Sequence, residues 1–370
     1  MPSAVQTPLQ HTLTYPRNVI AALNPTAYLL AHLHPSSSSP STTPPTRPSG
    51  RTLSTFRPPN CTTSSLTHCA GSAVVRVGDT AVVCGIQPEL LLASSIADLP
   101  RRSDATYTPE AELARLNLLV PNVELATGCS PAHLPGGAPS AEAQTLVQRL
   151  NGLLHSSRMV DIEDLRISHT PPVAAQDEEE YDPEDSAEPE EETVAYWTLY
   201  ASIHVLSLSG TTSLIDVAWA ALVAALRDVK LPRAWWDADT GAVLCSDVVA
   251  ETRKLRLRGM PMCCTWGVFE AGAAQLGVDQ KSTRSDGARD KQVKTLQNGG
   301  KAWLLADPDD FETPLCRESV TITVDASEGR TKVLRIEKSG GAVLGVEDVK
   351  SLIPAAVSRW QEWEVALEQR

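Results

Sequence analysis

Aromatic side chains are scarce in this chain. They make up 5% of its 370 residues, with only three Phe and six Tyr beside eight Trp. The apolar fraction of 42% is enough for a sizeable core, but Ala, Val and Leu must do most of the packing. The eight cysteines contain no CxxC pair and no His/Cys cluster at zinc spacing. Cys263 and Cys264 are adjacent, and neighbours rarely bridge each other. A zinc module and a disulfide framework are therefore excluded, and reduced, buried thiols of a cytosolic or nuclear protein are expected. No apolar run approaches the ~18 residues of a membrane span. The opening MPSAVQTPLQHTLTYPRN has no charged start followed by an apolar core, so no secretory signal is expected there. The eight histidines are scattered, and His204 within YASIHVLSL reads as a packed strand residue.

What is present is uneven charge. The net charge is −13, but QDEEEYDPEDSAEPEEE alone holds 11 acids and no base, so the remainder is −13 + 11 = −2. The body is therefore nearly balanced and does not strongly repel nucleic acid. The acidic stretch, about residues 171–193, reads as a solvated, disordered insertion. PSSSSPSTTPPTRPS, from Pro35 to Ser49, is too polar and Pro-rich to bury a core and reads as a flexible connection. Lys281 to Lys301 is basic and Gly-containing and reads as a mobile loop.

Between these segments the pattern alternates strands and helices. NPTAYLLAHL predicts a short helix with Asn24 as cap and Pro25 at its first position. GSAVVRVGDTAVVCGI predicts a hairpin, with strands near Ser72–Val77 and Thr80–Ile86 turning at Gly78 and Asp79. SAEAQTLVQRLNGLLHSS puts Leu146, Val147, Leu150, Leu153 and Leu154 on one helical face. TVAYWTLYASIHVLSLSG is a strand. SLIDVAWAALVAALRDVKLP is a helix, with Ser213 as cap, Asp216 as capping-box partner, and Ile215, Trp219, Leu222, Val223 and Leu226 as its buried stripe. More strands follow Leu255, and GVEDVKSLIPAAVSRWQEWEVALEQ closes the chain as a helix on both sides of Pro354. Strands precede helices twice, which suggests an α+β or α/β protein of two similar halves.

One stretch raises a chemical question. LLADPDDFETPLCRESVTITVD packs Asp307, Asp309, Asp310, Glu312 and Glu318 into twelve positions ahead of a strand. No histidine lies nearby to complete a metal site, and Pro308 among the aspartates favours a turn. Of the basic residues, Arg253, Lys254, Arg256 and Arg258 read as salt-bridged or solvated. SGGAVLG lacks a following Lys-Ser/Thr and is not a phosphate loop.

In order along the chain, RPSGR (Arg47 to Arg51), FRP (Phe56 to Pro58), the GSAVVRVGDTAVVCGI hairpin, GTTSLIDVAWAALVAAL, LLADPDDFETPLCRESVTITVD and SGGAVLGVEDVKSLI resemble the RNase PH family. They are similar in particular to its ring subunits in the eukaryotic RNA exosome. The resemblance covers most of Arg47 to Leu367. It implies an α/β (α+β) RNase PH-like fold, two ββαβα-type halves with mixed sheets and packed helices, in a six-membered ring around a pore. The implied division is an N-terminal helix and Pro/Ser-rich segment over 1–50, a first half over 51–232 and a second half over 233–370.

Active members of that family cleave RNA from its 3′ end with inorganic phosphate as nucleophile. Phosphate and the scissile diester are both anionic, so arginines must offset their repulsion. The departing oxygen also needs a proton from a placed acid. By alignment with active members, Glu312 and Glu318 stand where an acidic pair leads into the strand. Glu is one methylene longer than Asp, and a displacement of about 1 Å can cost ~100-fold. On the helix LVQRLNGLLHSS, where active members carry several arginines, only Arg149 remains, and Leu153 and Ser156 take two of the places. In GTTSLIDVAW the Gly, Thr and Ser could offer N–H groups to an anion at a helix start, although their main role is capping.

The resemblance therefore implies a non-catalytic ring subunit without cofactor, metal or catalytic residue. Arg101 and Arg102, in the loop after SSIADLP, are the candidate RNA contacts. The partners implied are other RNase PH-like ring subunits, S1/KH-type cap subunits, a hydrolytic exoribonuclease and single-stranded RNA, in nucleus, nucleolus and cytoplasm. The alternatives are an active phosphate-dependent 3′-5′ exoribonuclease and a purely architectural subunit that never touches RNA.

Overall fold

The computed structural model describes residues 15–34, 45–99, 107–131, 133–134, 138–170, 192–211, 213–276, 293–296, 300–341 and 343–368. Two short helices open it, α1 (Arg17–Leu23) and α2 (Pro25–Leu33). The Asn24 side chain accepts from the backbone N–H of Ala27, so Asn24 and Pro25 start α2 as their residue types predict.

The first half runs β1 (Pro59–Thr63), β2 (Gly71–Val77), β3 (Thr80–Leu92), α3 (Pro109–Arg115), β4 (Leu119–Leu125), α4 (Ala141–Ser157), α5 (Ile162–Leu165), β5 (Arg166–His169), β6 (Glu192–Ser207) and α6 (Leu214–Asp228). Its sheet has the order β1-β2-β3-β6-β4, with β5 also on β6. The sheet is mixed: β4 runs parallel to β6 and the other pairs are antiparallel. The β2–β3 hairpin turns at Gly78 and Asp79, as the sequence predicts, and β3 continues to Leu92.

Four short strands follow: β7 (Lys230–Leu231), β8 (Ala234–Asp237), β9 (Ala242–Cys245) and β10 (Arg253–Lys254). The second half then runs β11 (Met262–Ala271), α7 (Ala273–Leu276), β12 (Val293–Thr295), β13 (Lys301–Ala306), β14 (Glu318–Asp325), β15 (Lys332–Gly340) and α8 (Val346–Glu368). Its antiparallel sheet has the order β12-β13-β11-β14-β15. Part of the basic stretch Lys281 to Lys301, expected to be a loop, is strand: Val293–Thr295 pairs with Lys301–Trp303. Residues 281–292 and 297–299 lie outside the described residues, as does the acidic stretch over 171–191. Among the described residues no helix is long and apolar enough to cross a membrane.

Helix α6 joins the halves. It lies on β2 and β3 of the first sheet and touches β11 of the second. Every residue from Leu214 to Leu226 is buried, not only the predicted stripe. The alanines between the large residues let strands approach on all sides, which is how a chain poor in aromatics fills this space. Trp219 is fully buried, and its indole N–H donates to the Pro261 carbonyl at 2.7 Å. Helix α4 buries Ala143, Leu146, Leu150, Leu153 and Leu154, while Val147 is only half-buried. Helix α8 runs through Pro354 and packs on β14 and β11. One apolar core spans both halves. A smaller cluster seats Leu29 and Leu33 of α2 against Phe269, Trp303 and Leu305.

The approach of α6 to β2 depends on Gly71. A Cβ there would sit 2.5 Å from the Ala225 carbonyl oxygen and 2.7 Å from the Val229 nitrogen. Both are backbone atoms and cannot rotate away. Gly71→Ala is expected to lower stability by about 1–3 kcal/mol, measured as a shift in urea midpoint at unchanged slope.

Candidate functional site

The acidic turn between β13 and β14 is the place where an RNase PH-type centre would be sought. Asp307 sits there in the left-handed region, at φ 49°, a strained backbone that its surroundings must hold. The Arg57 guanidinium does so with a fork, Nε to Oδ2 at 2.7 Å and Nη2 to Oδ1 at 2.6 Å, and the Arg57 backbone N–H adds a third bond at 3.1 Å. Arg47, 1% exposed, grips the fully buried Glu312 in the same bidentate way. Its remaining donors reach the Ala306 carbonyl at 2.5 Å and the Asp307 carbonyl at 3.1 Å. Arg51 donates to the Asp307 carbonyl at 3.1 Å.

The arginines of RPSGR and FRP therefore lock the N-terminal segment onto a turn some 250 residues away in sequence. Burial opposes ionisation of Asp307, but the hydrogen bonds and charge of Arg57 outweigh it and hold the carboxyl below the usual range. Arg57 also donates to the Ser209 carbonyl and to the Ser213 hydroxyl, both at 3.2 Å, which fixes the mouth of α6 to the same lock.

That mouth, read mainly as a helix cap and only secondarily as an anion site, has one of its N–H groups on a carboxylate of the chain. The Gly210 N–H donates to Asp310 Oδ1 at 2.5 Å. Gly210, at φ 90°, lies so close beneath the turn that a Cβ would sit 2.5 Å from the Pro308 carbonyl oxygen. The predicted capping box is not formed. The Ser213 side chain makes no cap bond to α6, because its hydroxyl serves Arg57. Asp216 does not fold back to the helix start. It is buried and accepts from Thr265 Oγ1 at 2.7 Å. Thr265 in turn meets Thr321 Oγ1 at 2.9 Å, and Thr321 accepts from Arg149 at 3.2 Å. Burial, reinforced by the charge of Asp307, pushes the Asp216 carboxyl up to about 7 against the Thr265 hydrogen bond and the charges of Arg149 and Arg359.

Arg149, the one arginine left on its helix, is engaged as well. Its Nε donates to Glu337 of β15 at 2.7 Å. Leu153 is in the core, and the exposed Ser156 returns its hydroxyl to the Leu153 carbonyl. Glu318, 2% exposed, accepts from the Val343 N–H at 2.5 Å and the Leu344 N–H at 3.3 Å, with Lys338 Nζ at 3.4 Å. The Gly-rich SGGAVLG segment thus cradles an anion after all, but an internal one.

The remaining candidates distribute as follows. Arg101 and Arg102 lie outside the described residues. Arg253 and Arg256 hold the buried Asp164, and Arg258 holds Asp161, so the three arginines of the basic run are salt-bridged, and Lys254 is exposed. His204 is not packed in the sheet, as its strand context suggested. It stands on the solvent face of β6, with Glu124 at 3.3 Å. The eight cysteines are free, and Cys84, Cys129, Cys263 and Cys264 are buried. Burial pushes the Cys61 thiol up to about 11 and that of Cys316 to about 12. Sequence reasoning missed a second buried cluster, in which Glu112 accepts from Tyr107, Tyr196 and Arg166 at 2.6–2.7 Å. Among the described residues no group of three or more His, Cys, Asp or Glu is arranged to hold a metal ion.

Fold, turn and arginine motifs point to one family. Residues 55–232 match the first-domain model of the 3′ exoribonuclease family, RNase PH. The chain belongs to this family. It is 30% identical to the exosome complex component rrp43 of Schizosaccharomyces pombe, over 85% of this chain and 87% of the relative. It is 27% identical to the exosome complex component Rrp42 of Methanothermobacter thermautotrophicus, over 50% of this chain and 53% of the relative. A solved structure of the Archaeoglobus fulgidus exosome with RNA bound to the active site has the same fold, at TM-score 0.57 and 20% identity, covering 93% of this chain and 98% of that one.

Breaking the lock on one side strands a buried charge. Arg47→Met or Glu312→Gln alone is expected to cost about 3–5 kcal/mol. The pair Arg47→Met with Glu312→Leu recovers part of that loss; the Ala306 carbonyl loses its Arg47 donor, while the Asp307 carbonyl keeps Arg51. Urea titration of the three variants checks this. Asp216 gives a pH signature. Its folded value of about 7 lies above the unfolded value of about 4, so its contribution is fully present below pH 4 and is lost as pH rises through 7. Asp216→Asn keeps the acceptor for Thr265 without the charge. It should therefore melt higher than the wild type at pH 8, by a margin that shrinks toward pH 5.

Proposed function

We propose that this chain is a non-catalytic ring subunit of an RNA exosome core. In this reading it uses an RNase PH-type architecture for assembly and for lining a channel that guides single-stranded RNA to 3′-5′ degradation and processing. The observation that carries the reading is that the arginine left on α4, the N–H at the mouth of α6 and the arginines that hold the acidic turn are already bonded to carboxylates of the chain. Arg47, Arg57 and Arg149 face Glu312, Asp307 and Glu337, and the Gly210 N–H is taken by Asp310. A phosphate ion entering there meets carboxylates before it meets a free guanidinium. The proton donor is likewise unavailable, because Glu318 is turned into the loop at Val343 and Leu344.

The relatives named exosome complex components support the assembly and the processes assigned to it. Within this reading the chain divides into an N-terminal segment over 1–50 and halves over 51–232 and 233–370. Its partners are other RNase PH-like ring subunits, S1/KH-type cap subunits and a hydrolytic exoribonuclease. It works in nucleus, nucleolus and cytoplasm, and Arg101 and Arg102 contribute phosphate contacts. Such binding is largely sequence-independent and weakens with salt.

The test is an end-labelled oligoribonucleotide incubated with the purified chain, alone and in the assembled ring, with and without inorganic phosphate. No phosphate-dependent release of nucleoside diphosphate is expected from this chain. Release that disappears with Arg149→Ala would make it a phosphorolytic enzyme instead.

A further inference from the structure

A row of hydrogen bonds runs from the buried face of α6 out to α4, and chemistry fixes its direction. Arg149 Nη2 donates to Thr321 Oγ1 at 3.2 Å, since a guanidinium can only donate. Thr265 Oγ1 donates to Asp216 Oδ1 at 2.7 Å. A hydroxyl has one proton, and Thr265 has given its own to Asp216. The 2.9 Å contact between the threonines is therefore a donation from Thr321 to Thr265. The row points one way, from Arg149 through Thr321 and Thr265 to Asp216. A negative charge at the receiving end polarises such a row and strengthens each bond in it. A proton on Asp216 removes that drive, and the carboxyl O–H can then donate into the row and reverse it.

Asp216 is placed to hold or lose that proton. Among the described residues its second oxygen accepts no hydrogen bond, so the ionised form has Thr265 alone. The charges facing it are mixed. Arg149 lies on α4, Arg359 on α8 and Asp307 in the turn, and Arg359 is itself paired with Glu362. From β11 it is faced by the thiols of Cys263 and Cys264, which burial keeps neutral. The charged or titratable Arg76, Glu89, Glu192 and His204 on the other strands beneath α6 are exposed. Burial prevails and pushes the carboxyl up to about 7, so both forms are populated near neutral pH. With 8% of its surface exposed, Asp216 exchanges its proton with water.

At the other end the same guanidinium has a second carboxylate. Arg149 Nε donates to Glu337 of the edge strand β15 at 2.7 Å, and Arg335 of that strand reaches Glu337 Oε1 at 2.5 Å. Arg335 also lies close against α4, where a Cβ on Gly152 would sit 2.7 Å from its Nη1. Arg149, Glu337 and Arg335 thus seat α4 on β15, and Arg149 is the member that Asp216 can claim.

We propose that this row is a proton-operated latch on the seam between α4 and β15. With Asp216 protonated, Arg149 serves Glu337 and the seam is closed. With Asp216 ionised, the guanidinium is drawn down the row, Glu337 keeps only Arg335, and the seam loosens. The latch belongs to the fold itself and stands whether or not the chain enters a ring. Coupling of this kind is reciprocal, so whatever frees Arg149 from Glu337 must also favour the ionised Asp216.

The test titrates Asp216 by carbon-13 NMR of the full chain labelled at its aspartate carboxyls, with the signal assigned by Asp216→Asn. Glu337→Gln is expected to lower the proton affinity of Asp216 about fivefold. Thr321→Val cuts the row and keeps every charge. In that background Glu337→Gln should change the affinity by less than about twofold. No effect of Glu337→Gln, or the same effect in both backgrounds, overturns the inference, because charge alone would act without the row. If Thr321→Val does not fold, amide hydrogen exchange decides. Relative to α8, α4 should lose protection severalfold between about pH 6 and about pH 8 in the wild type and keep it in Asp216→Asn. A constant ratio in the wild type, or the same loss in Asp216→Asn, overturns the latch.

Discussion

Two buried ion pairs, Arg47 with Glu312 and Arg57 with Asp307, hold the rest of this structure in register. An unpaired charge in either position would be intolerable, because burying an ion without its partner costs several kcal/mol. The pairs therefore form together or the local fold does not form. They join three segments far apart in sequence: the chain entering the first half, the turn between β13 and β14, and the start of α6 through Ser209 and Ser213. The left-handed Asp307 and the close approach of Pro308 to Gly210 are sustained by this lock. With the turn fixed, α6 can be buried on every side between the two sheets.

The same constraint bears on chemistry. A centre that takes phosphate from solution must keep cationic and N–H donors organised and unsatisfied until the ligand arrives. Among the described residues, several such donors are met by carboxylates of the chain. Asp310 lies on the Gly210 N–H, Glu318 on the N–H groups of Val343 and Leu344, and Glu337 on Arg149. Stability and anion binding compete for the same groups, and the internal carboxylates are present at an effective concentration that a free ion cannot match. Asp216 and the Thr265–Thr321 row run beneath this surface and connect it to the buried face of α6.

Much of the fold was legible where a single local rule governs. The β2–β3 hairpin follows from Val-rich runs around Gly78 and Asp79, and α2 from Asn24 and Pro25. The stripe of α4 follows from its spacing, apart from the half-buried Val147. Tertiary context defeated the rest. Asp216 has the spacing of a capping box, yet the lock claims Ser213 and burial claims Asp216. His204 has the right strand, but period-two alternation does not reveal which face is covered. Val293–Thr295 looks like loop by composition and becomes a strand only because β13 is there to pair with it.

The site was half legible. The sequence placed the acidic turn, the lone Arg149 and the motifs RPSGR and FRP, but not their union. The available signal was charge complementarity: an acid-rich turn with no base before Arg317, and two conformationally restricted segments each carrying arginine. Nothing in spacing links residues some 250 positions apart.

The central claim, that the protein's own carboxylates occupy its anion-binding groups, is tested most directly by titrating inorganic phosphate into the purified chain by calorimetry at low salt. The account predicts no saturable heat up to ~10 mM phosphate, a range that detects any site of about 1 mM or tighter. One-to-one binding in that range, competed by a short oligoribonucleotide and lost with Arg149→Ala, would contradict it.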